Sequence, residues 1–203
     1  MTIRKGEPWG VPGPLPDDGV VVRSDSEAGR IVAWARRSNA PVPTLGLLGG
    51  DLCATLGGDG TETRLHSSEA MTLPVDLGSV LIDGRLHWFV AHLVARHSWW
   101  HGRVVAAMNA QYLGRWNAAP RSHPNDGRLE ILDANLAFGQ RLLAHRRLPL
   151  GTHLPHPGIE VRRVTSVQIE LDRPTPILLD GEHAGLGRRL SIRVEPDALR
   201  CVI

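Results

Sequence analysis

From about Pro74 to its end, the chain is a succession of short apolar runs rich in valine, isoleucine and leucine with turn residues between them, and no other feature constrains the fold as much. The segment VDLGSVLIDGRLHWFVAHLVA reads as two strands around the turn Asp83-Gly84, and RVVAAMNAQYL, RLEILDA, EVRRVTSVQIEL, PILLDGE and LSIRVEP continue the series. A mostly antiparallel β structure follows. One helix interrupts it, predicted over Leu136 to His145, where Leu136, Gln140, Leu143 and Ala144 share a face.

The upstream part follows another rule. Val20 to Val22 make a short β-branched run, Ala28, Ile31, Val32 and Ala35 repeat at helical spacing, and Asn39 and Pro41 end that helix before TLGLL supplies a second buried strand. This is a β-α-β unit, with a short helix at Leu52 to Leu56 after it. The opening MTIRKGEPWGVPGPLPDDG is rich in proline and glycine and has neither periodicity. The predicted class is α+β: an extended arm over 1–17, a reduced α/β unit over 18–60, and a β-rich, sandwich-like domain over 72–203.

Composition narrows the function classes. With 42% apolar and 22% charged residues the chain is globular rather than disordered. A formal charge of +2 gives no general hold on nucleic acid, and no nucleic-acid partner is expected; the local basic run Arg141 to Arg147 reads as a solvated helix face. Cys53 and Cys201 lie far apart and outside any CxxC pattern, which suggests neither a disulfide framework nor a zinc site. No apolar stretch reaches the ~18 residues of a membrane span, and the polar start lacks the apolar core of a signal peptide, so a soluble, cytoplasmic protein is expected. Peripheral contact with a membrane stays open through RHSWWHGR, whose Trp99 and Trp100 either face lipid or a partner, or pack in the core or at a sheet edge.

The stretch LGGDGTE, Leu56 to Glu62, has the letters of a phosphate-cradling loop. Such a loop must follow a strand and open a helix. Here CATL before it continues a helix and TETRLHSSEAM after it has no apolar stripe, so a glycine-terminated helix with a polar loop is predicted.

Three segments carry a resemblance: MNAQYLGRWNAAPRSHPNDGRLEILDA (Met108–Ala134), HPGIEVRRVTSVQIEL (His156–Leu171) and ILLDGEHAGLGRRLSIRVEPDALRCVI (Ile177–Ile203). In order and spacing they resemble the C-terminal domain of the diacylglycerol kinase, sphingosine kinase and bacterial lipid kinase superfamily, which has an NAD kinase-like fold. A weaker likeness extends upstream. On that register the family's first phosphate loop falls on Arg23-Ser24-Asp25-Ser26-Glu27, with only Asp25 retained, and its second is shortened to Gly49-Gly50-Asp51.

A phosphate needs free backbone N–H groups and glycines that let it approach. Ser24-Asp25-Ser26-Glu27 instead has the form of a capping box, which would satisfy its own donors and place a fixed negative charge there. Arg23 would partly offset that charge.

The resemblance implies further roles. Asp180-Gly181-Glu182 matches a motif whose aspartate takes the proton from the lipid hydroxyl; the bare reading of the residues is a hairpin turn with both carboxylates solvated. Asp25 and Asp51 are the remaining nucleotide-side positions, and Asp51 equally suits the N-cap of the helix at Leu52. Asp126 stands where some relatives hold a structural magnesium ion, or starts a strand through an Asn-Asp-Gly turn. The family's glycine triplet reads Gly114-Arg115-Trp116, which puts large side chains beside the substrate surface.

The expected function is that of a degenerate lipid-kinase-like protein which binds a lipid-like ligand or a protein partner without efficient phosphoryl transfer. An ATP-dependent lipid kinase with divergent loops is the alternative, and a structural homo-oligomer the third. No cofactor is expected; magnesium and ATP enter only under the kinase reading.

Overall fold

The computed structural model describes residues 9–203, so the first eight residues of the predicted arm lie outside the described residues. The strands are β1 (Val11–Pro12), β2 (Val20–Val22), β3 (Leu45–Leu47), β4 (Met71–Ile82), β5 (Arg85–Phe89), β6 (His92–Arg96), β7 (Val104–Met108), β8 (Leu129–Ala134), β9 (Ile159–Val164), β10 (Ser166–Leu179) and β11 (Glu182–Val202). The helices are α1 (Asp25–Arg37), α2 (Gly50–Leu56), α3 (Glu62–Leu65) and α4 (Phe138–Arg147), and a 3₁₀ turn at Leu148–Leu150 follows α4. The fold class is α+β, as the sequence predicts, with α4 displaced two residues from its expected start.

One strand organises the molecule. β11 pairs antiparallel with β4 from Leu190↔Ile82 to Val202↔Thr72 and with β10 along its other edge, while its last residues pair in parallel with β3. β3 in turn pairs in parallel with β2, and α1 is the crossover between them. From β10 the sheet continues through β6, β7 and β8 to β9. The β-α-β unit therefore extends the same sheet as the β-rich region.

Two cores follow from this path. Val80, Phe89, Leu93, Val105, Ile131, Ile177, Leu190 and Ile192 fill the inside of the sandwich-like region. Val22, Ala28, Val32, Leu45, Leu52, Val75, Val90, Leu199 and Cys201 pack α1 and α2 against the sheet, and this cluster draws on both the upstream unit and the β-rich region. Burial of each large apolar side chain stabilises by about 1.5–3 kcal/mol, which is enough to override weak local preferences.

Candidate functional site

The first site lies where the N-termini of α1 and α2 meet the start of β6. The capping box forms, shifted by one residue on its return arm: Ser24 Oγ accepts from the Glu27 amide at 3.2 Å, and the Glu27 carboxylate accepts from the Arg23 amide at 2.8 Å. Asp25 points the other way. Its carboxylate accepts from the amides of Asp51 (2.5 Å) and Leu52 (3.0 Å), so Asp25 caps α2 from across the molecule. This corrects the expectation that Asp51 is the N-cap. The helix starts two residues earlier, with Gly49 in the cap position, and Asp51 falls inside the first turn. Gly50, at φ +94°, leaves room for the Asp25 carboxylate, which a Cβ would meet at 2.5 Å.

Asp51 uses its side chain elsewhere. It accepts from the Gly114 amide at 2.9 Å and from His92 Nε2 at 2.9 Å. Burial pulls the imidazole down, but the Asp51 hydrogen bond and the carboxylates of Asp180, Asp51 and Asp25 outweigh it, so the His92 pKa is raised. Burial pushes Asp51 up, yet the His92 bond and the Gly114 amide leave it below its ordinary value.

Asp180 completes the junction. Its backbone makes the predicted hairpin turn with Gly181, at φ 51° and 85°, but its carboxylate is not solvated: the residue is only 7% exposed. That carboxylate accepts from the amides of Val90, Ala91 and His92 at 2.8, 2.8 and 3.1 Å, the three donors freed where β5 ends and β6 begins. Burial raises its pKa to about 6 against the pull of His92 and those amides. Gly29 of α1 lies directly over it, since a Cβ there would meet Asp180 Oδ2 at 2.8 Å. Glu182 is exposed and pairs with Arg30 at 3.1 Å. A cleft of about 320 Å³ runs between α1 and this turn, bordered by Arg30, Arg37, His87, Asp180 and Glu182.

The fit to a nucleotide is poor. The amides of Asp51 and Leu52, those a phosphate would use at α2, are taken by Asp25, and the Glu27 amide is taken by Ser24. The ligand atoms of Asp25, Asp51 and His92 do lie within 4.8 Å of one another. One imidazole with two carboxylates suits a transition metal better than magnesium, which prefers oxygen throughout, and each carboxylate oxygen of the trio already accepts an N–H.

Asp126 lies apart from this junction. Its oxygens accept from the Arg128 amide at 2.9 Å, the expected turn, and from the Arg163 guanidinium. The buried acid of that region is Asp76, which accepts from the amides of Gly127 (2.7 Å) and Asp197 (3.0 Å) and is pushed by burial to about 6. Sequence reasoning missed both Asp76 and His92. Each was signalled as the lone ionisable residue in an apolar strand, VDLGSV and AHLVA, where burial demands a partner. Gly57 ends α2 in the left-handed conformation, as predicted, and Asp59 accepts from the Thr61 amide; the polar loop predicted to follow is instead opened by the one-turn helix α3, which Thr61 precedes.

The second site is an apolar cavity of about 110 Å³ between α4 and the outer face of β7 and β8. Val104, Ala106 and Met108 floor it, Ala144 and Leu148 roof it, and Trp99, Trp100 and Trp116 wall it. Trp99 and Trp116 meet edge to face at 5.0 Å. Trp116, of the segment Gly114-Arg115-Trp116, is one wall of this cavity. Two polar atoms there are buried without a partner among the described residues, Trp116 Nε1 and His153 Nδ1. His153 Nε2 donates to the Ala118 carbonyl at 3.1 Å, and burial lowers the imidazole pKa, so Nδ1 carries a lone pair. The two sites are connected, because the Gly114 amide held by Asp51 belongs to the turn between Leu113 and Trp116, both cavity residues.

The antiparallel, sandwich-like sheet is the fold of a known domain family. Residues 77–203 match the family described as the YegS C-terminal NAD kinase beta sandwich-like domain, and the chain belongs to that family. Two solved structures from Bacillus anthracis str. Sterne, one described as a "putative diacylglycerol kinase" and one as a diacylglycerol kinase, are similar to it at 15% identity. The first covers 91% of this chain and 77% of its own with a TM-score of 0.71, the second 91% and 75% with 0.62. A yeast NADH kinase complexed with NADH, 13% identical over 91% of this chain and 61% of its own, reaches a TM-score of 0.43. A search of the curated proteins finds no match. No helix among the described residues is long and apolar enough to cross a membrane.

Proposed function

We propose that this chain is a lipid-kinase-like binding protein that takes a lipid-like ligand into the cavity beneath α4 and does not transfer phosphate efficiently. The cavity carries the proposal. Apolar cavities of comparable volume bind a benzene-sized group, and about 110 Å³ admits a ring or a short length of acyl chain. Its two unpaired polar atoms, the Trp116 Nε1–H donor and the His153 Nδ1 acceptor, suit a hydroxyl or ester on an otherwise apolar molecule. The diacylglycerol kinase assignment of the solved relatives agrees with a ligand of that kind. Against phosphoryl transfer stand the occupied amides at α1 and α2.

One observation favours the second reading, an ATP-dependent lipid kinase. Asp180, with a pKa raised to about 6, borders a cleft that also presents Arg30 and Arg37, and a carboxylate whose pKa is raised toward neutral pH suits proton abstraction. Solvent extraction of the purified protein with mass spectrometry, beside a calorimetric titration with ATP and magnesium, separates the two. The binding reading expects an extracted amphipathic molecule, lost in Ala144→Leu, and no heat with ATP. An empty protein that binds ATP at micromolar concentration and phosphorylates a diacylglycerol, with turnover lost in Asp180→Asn, would contradict it.

A further inference from the structure

We propose that the outer face of α4, with the turn that follows it, docks onto an anionic lipid bilayer. The helix is inverted relative to an ordinary surface helix, which hides its apolar stripe. Its buried residues are Arg141 and Ala144, while Phe138, Leu142 and Leu143 are exposed. Arg141 explains the inversion: its guanidinium donates to the carbonyls of Leu136, Trp99 and Gly102, which fixes the polar group inside and turns the apolar side chains outward.

Trp100, Phe138, Leu142, Leu143 and Leu150 are exposed large apolar side chains on this segment or beside it. Trp100 stands 6.2 Å from the Phe138 ring, and Phe138 and Leu150, at either end of the segment, are 66% and 76% exposed. Exposed apolar side chains concentrated on one short segment suit an interaction surface.

Charge selects the partner. The sequence from Asn135 to Ile159 contains no aspartate or glutamate, nor do His97 to Arg103 or Gln111 to His123, the other segments around the cavity. Arg146 and Arg147, exposed in the last turn of α4, have no acidic partner among the described residues, nor has Arg115 on the adjoining turn. An apolar helix face with tryptophan, phenylalanine and leucine, rimmed by arginines alone, matches the chemistry of a negatively charged bilayer surface. A second copy fits less well, since it would bring two arginine rims together. The inference goes beyond the ligand reading: the cavity lies beneath the helix and the docking face above it, and either can fail without the other.

The experiment uses the full chain with vesicles of phosphatidylcholine alone and of phosphatidylcholine with about one-third phosphatidylserine, and reads bound protein by flotation. Binding to the phosphatidylserine vesicles is expected, weaker by at least about tenfold without that lipid. Arg146→Gln with Arg147→Gln should weaken it roughly 25-fold, about 1 kcal/mol per arginine, and Phe138→Ser with Leu143→Gln should abolish it. All four positions are exposed, so both double variants should keep the wild-type thermal midpoint. Ala144→Leu, which fills the cavity, should bind vesicles as wild type does. Equal binding to both vesicle types, binding unaffected by either double variant, no binding at all, loss in Ala144→Leu, or a dimer dissolved by Phe138→Ser with Leu143→Gln in a protein that ignores vesicles would each overturn the proposal.

Discussion

The junction around Asp25, Asp51, His92 and Asp180 and the cavity beneath α4 are joined through one turn, yet they are built on opposite plans. At the junction every carboxylate is consumed by the fold: Asp180 holds three amides, Asp25 two, and Asp51 an amide and an imidazole. In the cavity the walls are apolar and Trp116 Nε1 and His153 Nδ1 are spare, while at the junction it is an imidazole nitrogen, His92 Nδ1, that is buried without a partner among the described residues. Ionisable residues at positions that match a family's motif are therefore not reactive on that ground alone. Carboxylates that replace an absent anion at helix N-termini stabilise the protein, whereas unpaired groups over an apolar floor await something else.

The comparison is sharpest in stability. Asp180→Ala leaves three buried amides without an acceptor and should cost about 3 kcal/mol or more, measured by denaturant unfolding. A variant as stable as wild type would mean that the carboxylate is held for chemistry alone. Asp25→Ala uncaps α2 and should cost about 2 kcal/mol. Unchanged stability together with a gain of phosphate binding would show that the amides were available after all.

The pH dependence follows from the same groups. Asp76 and Asp180 have folded pKa values of about 6 against 3.8 as free side chains, so the folded state retains their protons while the unfolded state has lost them. Their contribution is fully present below about 3.8 and is lost as pH rises through about 6. The thermal midpoint should therefore decline between about pH 4 and 6. Asp76→Asn should flatten that decline, whatever its effect on absolute stability, and a slope identical to wild type would refute the assignment. Ser24→Ala should cost about 1 kcal/mol, the usual value for a lost cap. Glu182→Ala, which breaks an ion pair between exposed side chains, should change stability by less than about 0.5 kcal/mol.

How much of this was legible in the sequence differs between the two regions for physical reasons. Strand periodicity and the turns at Asp83-Gly84 and Asp180-Gly181 are local signals, and they placed both hairpins, but RLHWFVAHLVA divides into β5 and β6 and EVRRVTSVQIEL into β9 and β10, breaks that periodicity does not mark. The capping box is also local, and its Ser24 arm forms as spacing predicts. The junction is made by residues far apart in the chain. That Asp25 caps a helix that begins at Gly50, and that Asp180 holds the amides of Val90 to His92, depends on β2, β3, β6 and β10 being brought together by one sheet. Spacing along the chain carries no trace of this. The cavity was partly legible, since RHSWWHGR and Gly114-Arg115-Trp116 both drew attention, but only the inverted helix brings Trp99, Trp100 and Trp116 around one space.

The central claim is that the cavity, and not the junction, is the ligand site. Trp99, Trp100 and Trp116 in its walls make tryptophan fluorescence a direct reporter. Titration of the protein with a monoacylglycerol brominated on its acyl chain, below its micellar concentration, should give saturable quenching that Ala144→Leu abolishes while ATP with magnesium leaves it unchanged. Absence of quenching would contradict the account, and quenching that ATP competes away and that Asp25→Ala removes while Ala144→Leu does not would contradict it by placing the ligand at the junction.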